Sequence, residues 1–177
     1  MHSNEKVSEI AKKIKLLIVD VDGVLTDGGI YFDDNGVEQK KFDSQDGLGI
    51  KLLQLSGIEV AVITARSTKS VAHRLKGLGV EHYYHGILDK SIALEKLIKK
   101  LSIDPSESAY VGDDVIDLPV MTRVALPIAV ANAQESVKDH ALMVTEKSGG
   151  NGAVREVCNF LLKSQDKYDA LVKSFLK

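Results

Sequence analysis

The chain holds a single cysteine, Cys158, so no internal disulfide can form and a fold stapled by such bonds is excluded. It also lacks a surplus of charge of one sign. The 23 Lys and Arg stand against 25 Asp and Glu, and the basic residues are scattered, which argues against nucleic acid as a partner. No apolar run approaches the roughly 18–20 residues needed to cross a bilayer. The opening Met1-His2-Ser3-Asn4-Glu5-Lys6 lacks the apolar core of a secretory signal. A cytoplasmic protein without a membrane partner is therefore expected. The five histidines show no ligand spacing and read as surface or packing residues. With no internal repeat, no low-complexity segment and no linker, residues 1–177 are expected to fold as one domain, and 44% hydrophobic content suffices for its core.

What is present is an alternation of short apolar runs and helical patterns. Residues 15–20, 58–64, 109–113 and 124–131 read as buried strands, with weaker candidates at 82–84 and 142–145. Between them lie helical patterns at 48–55 closed by Gly57, at 70–78 closed by Gly79, and at 91–101 stopped before Pro105. Such alternation predicts an α/β fold, a Rossmann-like doubly wound parallel sheet covered on both faces. Two stretches break the rhythm. Residues 28–42 read as a β-hairpin around the turn Asp33-Asp34-Asn35-Gly36. The C-terminal stretch 148–177 begins with Ser148-Gly149-Gly150-Asn151-Gly152, expected to be mobile, and continues as a helix with the apolar stripe Val154, Val157, Cys158, Leu161 and Leu162.

The strongest chemical signal is Asp20-Val21-Asp22-Gly23-Val24-Leu25-Thr26-Asp27-Gly28, at the end of the first apolar run. Residues two apart on a strand share a side, so Asp20 and Asp22 can project toward one point past the strand end. Two carboxylates so placed repel each other. A divalent cation relieves that repulsion, and oxygen ligands favour magnesium (Mg2+). Asp20 is then suited to act as nucleophile and metal ligand, and Asp22 to give and later take a proton. Gly23 lets backbone N–H groups approach a phosphoryl oxygen closely.

Together with Thr64 in Ile63-Thr64-Ala65-Arg66, with Lys90, and with Gly112-Asp113-Asp114-Val115-Ile116-Asp117, this string resembles the haloacid dehalogenase phosphatase superfamily along essentially the whole chain. The resemblance implies attack by Asp20 on phosphorus and proton transfer by Asp22. It implies a hydrogen bond from Thr64 to the phosphoryl group, and charge compensation by Lys90. Asp113 is implied as a further metal ligand beside Asp20 and Asp22, with Asp114 or Asp117 supporting it. Many members carry an inserted cap domain, but neither interval between motifs is long enough for one here, so cover is expected from oligomerisation through the hairpin and the C-terminal stretch.

Asp46-Gly47-Leu48-Gly49-Ile50-Lys51 and Gly149-Gly150-Asn151-Gly152-Ala153-Val154-Arg155-Glu156 narrow the resemblance to the family of phosphatases acting on 3-deoxy-D-manno-octulosonate 8-phosphate. That family is a capless homotetramer in the pathway to the inner sugar of lipopolysaccharide. The likeness implies substrate contacts from Gly47, Lys51, Arg66, Arg74 and Lys90. Arg155, close behind the glycine-rich loop, is expected to bring a cation to a neighbouring subunit's site. Ala65 departs from the glycine often found there, a small change provided that the position needs no positive φ. Three other readings stay open on the sequence. One is a phosphatase of a nine-carbon acid sugar phosphate, and another is a phosphoacceptor signalling domain, which Asp22 argues against. The third is a noncatalytic oligomerisation module.

Overall fold

A computed structural model describes residues 2–176 of the chain. Its first strand, β1 (Leu16–Val19), is apolar at every position and buried at every position, as a strand must be when helices cover both faces of its sheet. After it come a hairpin of β2 (Tyr31–Phe32) and β3 (Glu38–Gln39), then β4 (Glu59–Ile63) and β5 (His82–Tyr84). The chain next crosses back to add β6 (Ser108–Gly112), β7 (Leu126–Ala129) and β8 (Met143–Val144). The six-stranded sheet has the order β5-β4-β1-β6-β7-β8 and every pairing in it is parallel, with Leu16 opposite both Glu59 and Ser108. The direction of winding reverses between β1 and β6. In open α/β sheets that reversal opens a crevice beyond the carboxyl ends of the strands.

The helices are α1 (His2–Ala11), α2 (Ser44–Leu55), α3 (Lys69–Leu78), α4 (Lys90–Leu101), α5 (Leu118–Met121), α6 (Glu135–Lys138), α7 (Ala153–Ser164) and α8 (Tyr168–Ser174). Local chemistry fixes several of their ends. Asp43 caps α2 by accepting from the Gln45 and Asp46 N–H groups, and Asp89 caps α4 by accepting from Ser91 N–H. Helix α3 stops at Gly79, whose φ of +66° suits glycine. Helix α2 lies close against α7 because Gly49 has no side chain: a Cβ there would stand 3.2 Å from the Arg155 Cα and from the Cys158 Cβ.

The α/β doubly wound sheet expected from the alternation is the observed fold, and each of the six anticipated core strands is present: β5 as expected, β6 shifted by one residue, and the other four with ends trimmed by one or two residues. The hairpin is present too, though its paired residues are only Tyr31 with Gln39 and Phe32 with Glu38. Helices α1, α5, α6 and α8 were not anticipated: α5 and α6 are only four residues long, and α1 and α8 are largely polar, although Val7, Ile10 and Ala11 of α1 pack on the core. The mobile loop expected at residues 148–152 is instead packed. Gly149 N–H donates to Asn132 Oδ1 at 2.7 Å and Gly150 N–H to Val24 O at 3.0 Å, and both glycines are buried. A Cβ on Gly149 would come within 1.7 Å of Gly23 O, so glycine serves close backbone approach here rather than freedom. The following helix carries the apolar stripe expected of it. Val154, Val157, Cys158, Leu161 and Leu162 are all buried, each worth about 1.5–3 kcal/mol if it is a large apolar side chain. Among the described residues after α7, α8 and residues 175–176 hold no buried side chain.

Candidate active site

The loops that follow β1, β4 and β6 meet at the crevice. Asp20 and Asp22 come from the first, Thr64 and Arg66 from the second, Asp113 and Asp114 from the third, and together they line a cleft of about 240 Å³. A larger cavity of about 870 Å³ lies at the opposite end of the sheet, beside Lys15 and Ile58, where none of these groups reaches.

Asp20 is buried, with Oδ1 accepting Val21 N–H at 2.7 Å and Oδ2 lying 2.8 Å from the Lys90 ammonium. Lys90, the first residue of α4, is wholly buried and also stands 2.7 Å from Asp117 Oδ1. Asp117 takes a full set of donors. Tyr110 OH donates to Oδ1 at 2.6 Å, while Asp113 N–H and Asp114 N–H donate to Oδ2 at 2.9 and 3.2 Å. Gly112 makes room for it, because a Cβ there would fall 2.6 Å from the Asp117 side chain.

Carboxyl oxygens of Asp20, Asp113 and Asp117 lie within 4.8 Å of one another, and a single ammonium stands against them. Burial and this imbalance together weaken the acidity of Asp20 and Asp113. Burial, and then the Asp117 charge, push Asp20 up to about 7. Burial, followed by the charges of Asp117 and Asp20, pushes Asp113 up to about 8. An all-oxygen site with excess negative charge fits a hard divalent cation such as magnesium. Since Asp117 already accepts four hydrogen bonds, Asp20 and Asp113 are the side chains that would hold it. The Gly23 position keeps that space open: a Cβ there would stand 2.0 Å from Asp113 Oδ2.

Asp22 is outside this group. Its Oδ1 is ion-paired with Lys40 and its Oδ2 lies 3.9 Å from Arg66 Nε, so its carboxylate is turned toward the hairpin rather than toward Asp113. Thr64 is buried just after β4 and its hydroxyl accepts Arg66 N–H at 3.3 Å. Ala65 is not among the positive-φ residues, so alanine costs no backbone strain there.

The remaining expected substrate contacts are dispersed. Arg74 donates to Asp43 O at 3.3 Å and lies 6.0 Å from the Phe42 ring centroid, with Gly47 leaving space for its guanidinium. That pair sits at the base of the hairpin, beside the cleft rather than lining it. Lys51 is not brought to the cleft of its own chain. Helix α2 runs back along the sheet, and about 10 Å of helix carries position 51 away from the start of α2 to place its Nζ near Gly79, at the far end of α3. Arg155 also points elsewhere in its own chain, donating Nε–H to Asn159 Oδ1 at 2.9 Å while its backbone N–H bonds Asp46 Oδ1 at 2.7 Å. Asp46 is buried with Oδ2 unpartnered, and burial pushes it up to about 6.

Sequence reasoning overlooked Tyr110, Asn132, Glu38 and Lys40. Tyr110 carried a signal, as the one bulky polar side chain in an otherwise small and apolar strand. Glu38 and Lys40 carried a fainter one, opposite charges two apart on a strand.

Fold and crevice together define a haloacid dehalogenase-like hydrolase, and the family model of that description matches residues 84–157. The chain is 52% identical over 159 residues to 3-deoxy-D-manno-octulosonate 8-phosphate phosphatase KdsC of Escherichia coli K12, covering 90% of this chain and 85% of that one. The phosphatase of that name from Moraxella catarrhalis, solved with magnesium ion, phosphate ion and KDO, superposes with a TM-score of 0.94 at 46% identity over 97% of this chain and 98% of the other. The Yersinia pestis enzyme gives 0.92 at 46% identity, covering 93% and 89%. The chain belongs to the 3-deoxy-D-manno-octulosonate 8-phosphate phosphatase family.

Proposed function

We infer that the protein hydrolyses 3-deoxy-D-manno-octulosonate 8-phosphate to the free acid sugar and inorganic phosphate, with Asp20 as covalent nucleophile. The observation that carries this reading is the buried Asp20 carboxylate at a strand tip, held by Val21 N–H and Lys90 and open to a cleft that Asp22 also faces. An Asp20 oxygen bonds to phosphorus while the ester P–O bond breaks. Its electron pair leaves on the sugar oxygen, which takes a proton from Asp22. Asp22 then removes a proton from water, whose oxygen attacks the aspartyl phosphate and frees Asp20. Thr64 hydrogen-bonds the phosphoryl group, and Lys90 offsets its charge. Asp20 and Asp113 would hold magnesium, which would supply further positive charge beside the phosphoryl group. Arg66 at the mouth, with Gly47 and Arg74 behind it, suits an anionic sugar, because a guanidinium can grip carboxylate or phosphate.

We also infer a cytoplasmic homotetramer acting in lipopolysaccharide precursor synthesis. Ile30, Phe32 and Val37 on the hairpin are each more than half exposed, an apolar surface that supports association there and cover for a site without a cap. Phosphate release should be measured on the eight-carbon acid sugar phosphate and on glucose 6-phosphate, with magnesium and with chelator, for the native chain and Asp20→Asn. The reading requires strong preference for the acid sugar, loss on chelation and loss in the variant. Full turnover by Asp20→Asn would remove the covalent mechanism.

A further inference from the structure

Lysine is rarely buried, yet the Lys40 side chain is only 1% exposed although it belongs to a hairpin that is otherwise largely open to solvent. Its ammonium is ion-paired with Asp22 Oδ1 and lies 2.8 Å from Glu38 Oε1. Glu38 Oε2 accepts from Arg66 at 2.8 Å, and Arg66 Nε returns to within 3.9 Å of Asp22 Oδ2. Four alternating charges thus close a ring at the mouth of the cleft, two from the hairpin and two from the loops after β1 and β4. The hairpin can reach so far because residues two apart share a side, which aims Glu38 and Lys40 together.

We propose that Lys40 is a positioning residue for the hydrolysis: it fixes one oxygen of Asp22 so that the other faces the scissile ester, and the hairpin thereby sets the geometry of proton transfer. This rests on the phosphatase reading above. Glu38 on the same ammonium offsets its charge, so the pair orients Asp22 without adding net charge to the cleft. In the first step the Asp22 proton passes to the departing sugar oxygen as the P–O electron pair arrives there. In the second, Asp22 takes a proton from the attacking water. Both transfers need Oδ2, the oxygen that Lys40 does not hold and that Arg66 flanks at 3.9 Å, in line. An assembly hairpin with no part in the chemistry has no use for a buried lysine aimed at the acid.

The test exploits the leaving group. A sugar alkoxide needs the proton, whereas p-nitrophenolate departs without it. For Lys40→Met, kcat/KM on 3-deoxy-D-manno-octulosonate 8-phosphate should fall at least ~10-fold, and that on p-nitrophenyl phosphate should stay within ~3-fold of the native value. Lys40→Arg should restore most of the loss. Circular dichroism and the oligomeric state should match the native protein, and Lys40→Gln is read the same way if Lys40→Met does not yield folded protein. An equal fall on both substrates, or no fall on either, overturns the role of Lys40 while leaving the phosphatase reading in place. Absence of turnover of either substrate by the native protein overturns that reading itself, and the role of Lys40 with it.

Discussion

Asp117 Oδ1 stands 2.7 Å from Lys90 Nζ, and the two groups hold each other in place beneath Asp20 without either one facing solvent. A buried ion pair of this kind is costly to break from one side, because the partner left behind remains desolvated. Asp117→Ala would leave the Lys90 ammonium with Asp20 as its one remaining carboxylate and strand the Tyr110 hydroxyl and two backbone N–H groups. We expect it to lose about 3–5 kcal/mol of unfolding free energy by urea titration. Asp117→Asn, which keeps one acceptor oxygen, should lose less. Equal stability of the alanine variant and the native chain would contradict this account of the brace.

Magnesium should stabilise the protein, and increasingly so as pH rises. In the metal-free fold, Asp20 and Asp113 are pushed up to about 7 and about 8, above their values in the unfolded chain. The folded state therefore holds protons that the unfolded state has released, and metal-free stability declines as pH climbs from about 4 to about 8. A cation replaces those protons. At a hundredfold excess over its Kd it contributes about 2.7 kcal/mol. The magnesium-induced rise in Tm should be small at pH 5.5 and large at pH 8.5. A larger rise at the acidic end would reverse the predicted sign.

Asp46 offers a separate pH signature, away from the cleft. Burial pushes it up to about 6, and its Oδ2 has no partner, so the ionised form is held at a cost. Stability from this residue is fullest below about 4 and declines as pH rises to about 6, because the folded state gives up its proton last. Relative to Asp46→Asn, the native chain should lose about 1–2 kcal/mol between pH 4.5 and pH 7.5. Parallel stability curves for the two proteins over that range would rule the cost out.

Two glycines should respond very differently to a methyl group. Gly36, at the hairpin tip, has φ of +75° and open space around its Cβ position, so Gly36→Ala should cost only the left-handed backbone penalty of about 1–2 kcal/mol. Gly149→Ala drives a methyl into Gly23 O and must displace the loop that carries Asp22. We expect it to lower both Tm and kcat, with the larger drop in Tm of the two variants. A Gly149→Ala protein as active and as stable as native would mean that the two loops are not in register as described.

The sheet was readable because buried parallel strands are short apolar runs, and Leu16–Val19 offers no alternative reading. The acidic strand ends were readable for the same reason, since a run such as Leu-Leu-Ile-Val followed by Asp-Val-Asp marks where the core stops and the crevice begins. The placement of Lys51 beside Gly79 was not legible, because a motif gives order along a helix and not the direction in which the helix runs. The glycines of residues 148–152 were misjudged because freedom and close approach call for the same residue, and only the position of Gly23 O separates them. Lys40 went unnoticed because a lysine in a hairpin ordinarily faces solvent, and its burial depends on Asp22, 18 residues earlier.

The bridge between Thr26 and Phe42 ties together the two ends of the segment that contains the hairpin. The sheet and its helices therefore register where that segment leaves and returns, but not how much chain lies in between. Doubling the length of a loop already closed at its base costs about 0.6 kcal/mol in chain entropy. Residues 33–36, at the tip and beyond Glu38 and Lys40, are thus a seam at which further chain could be spliced in without disturbing the ring of charges at the cleft mouth.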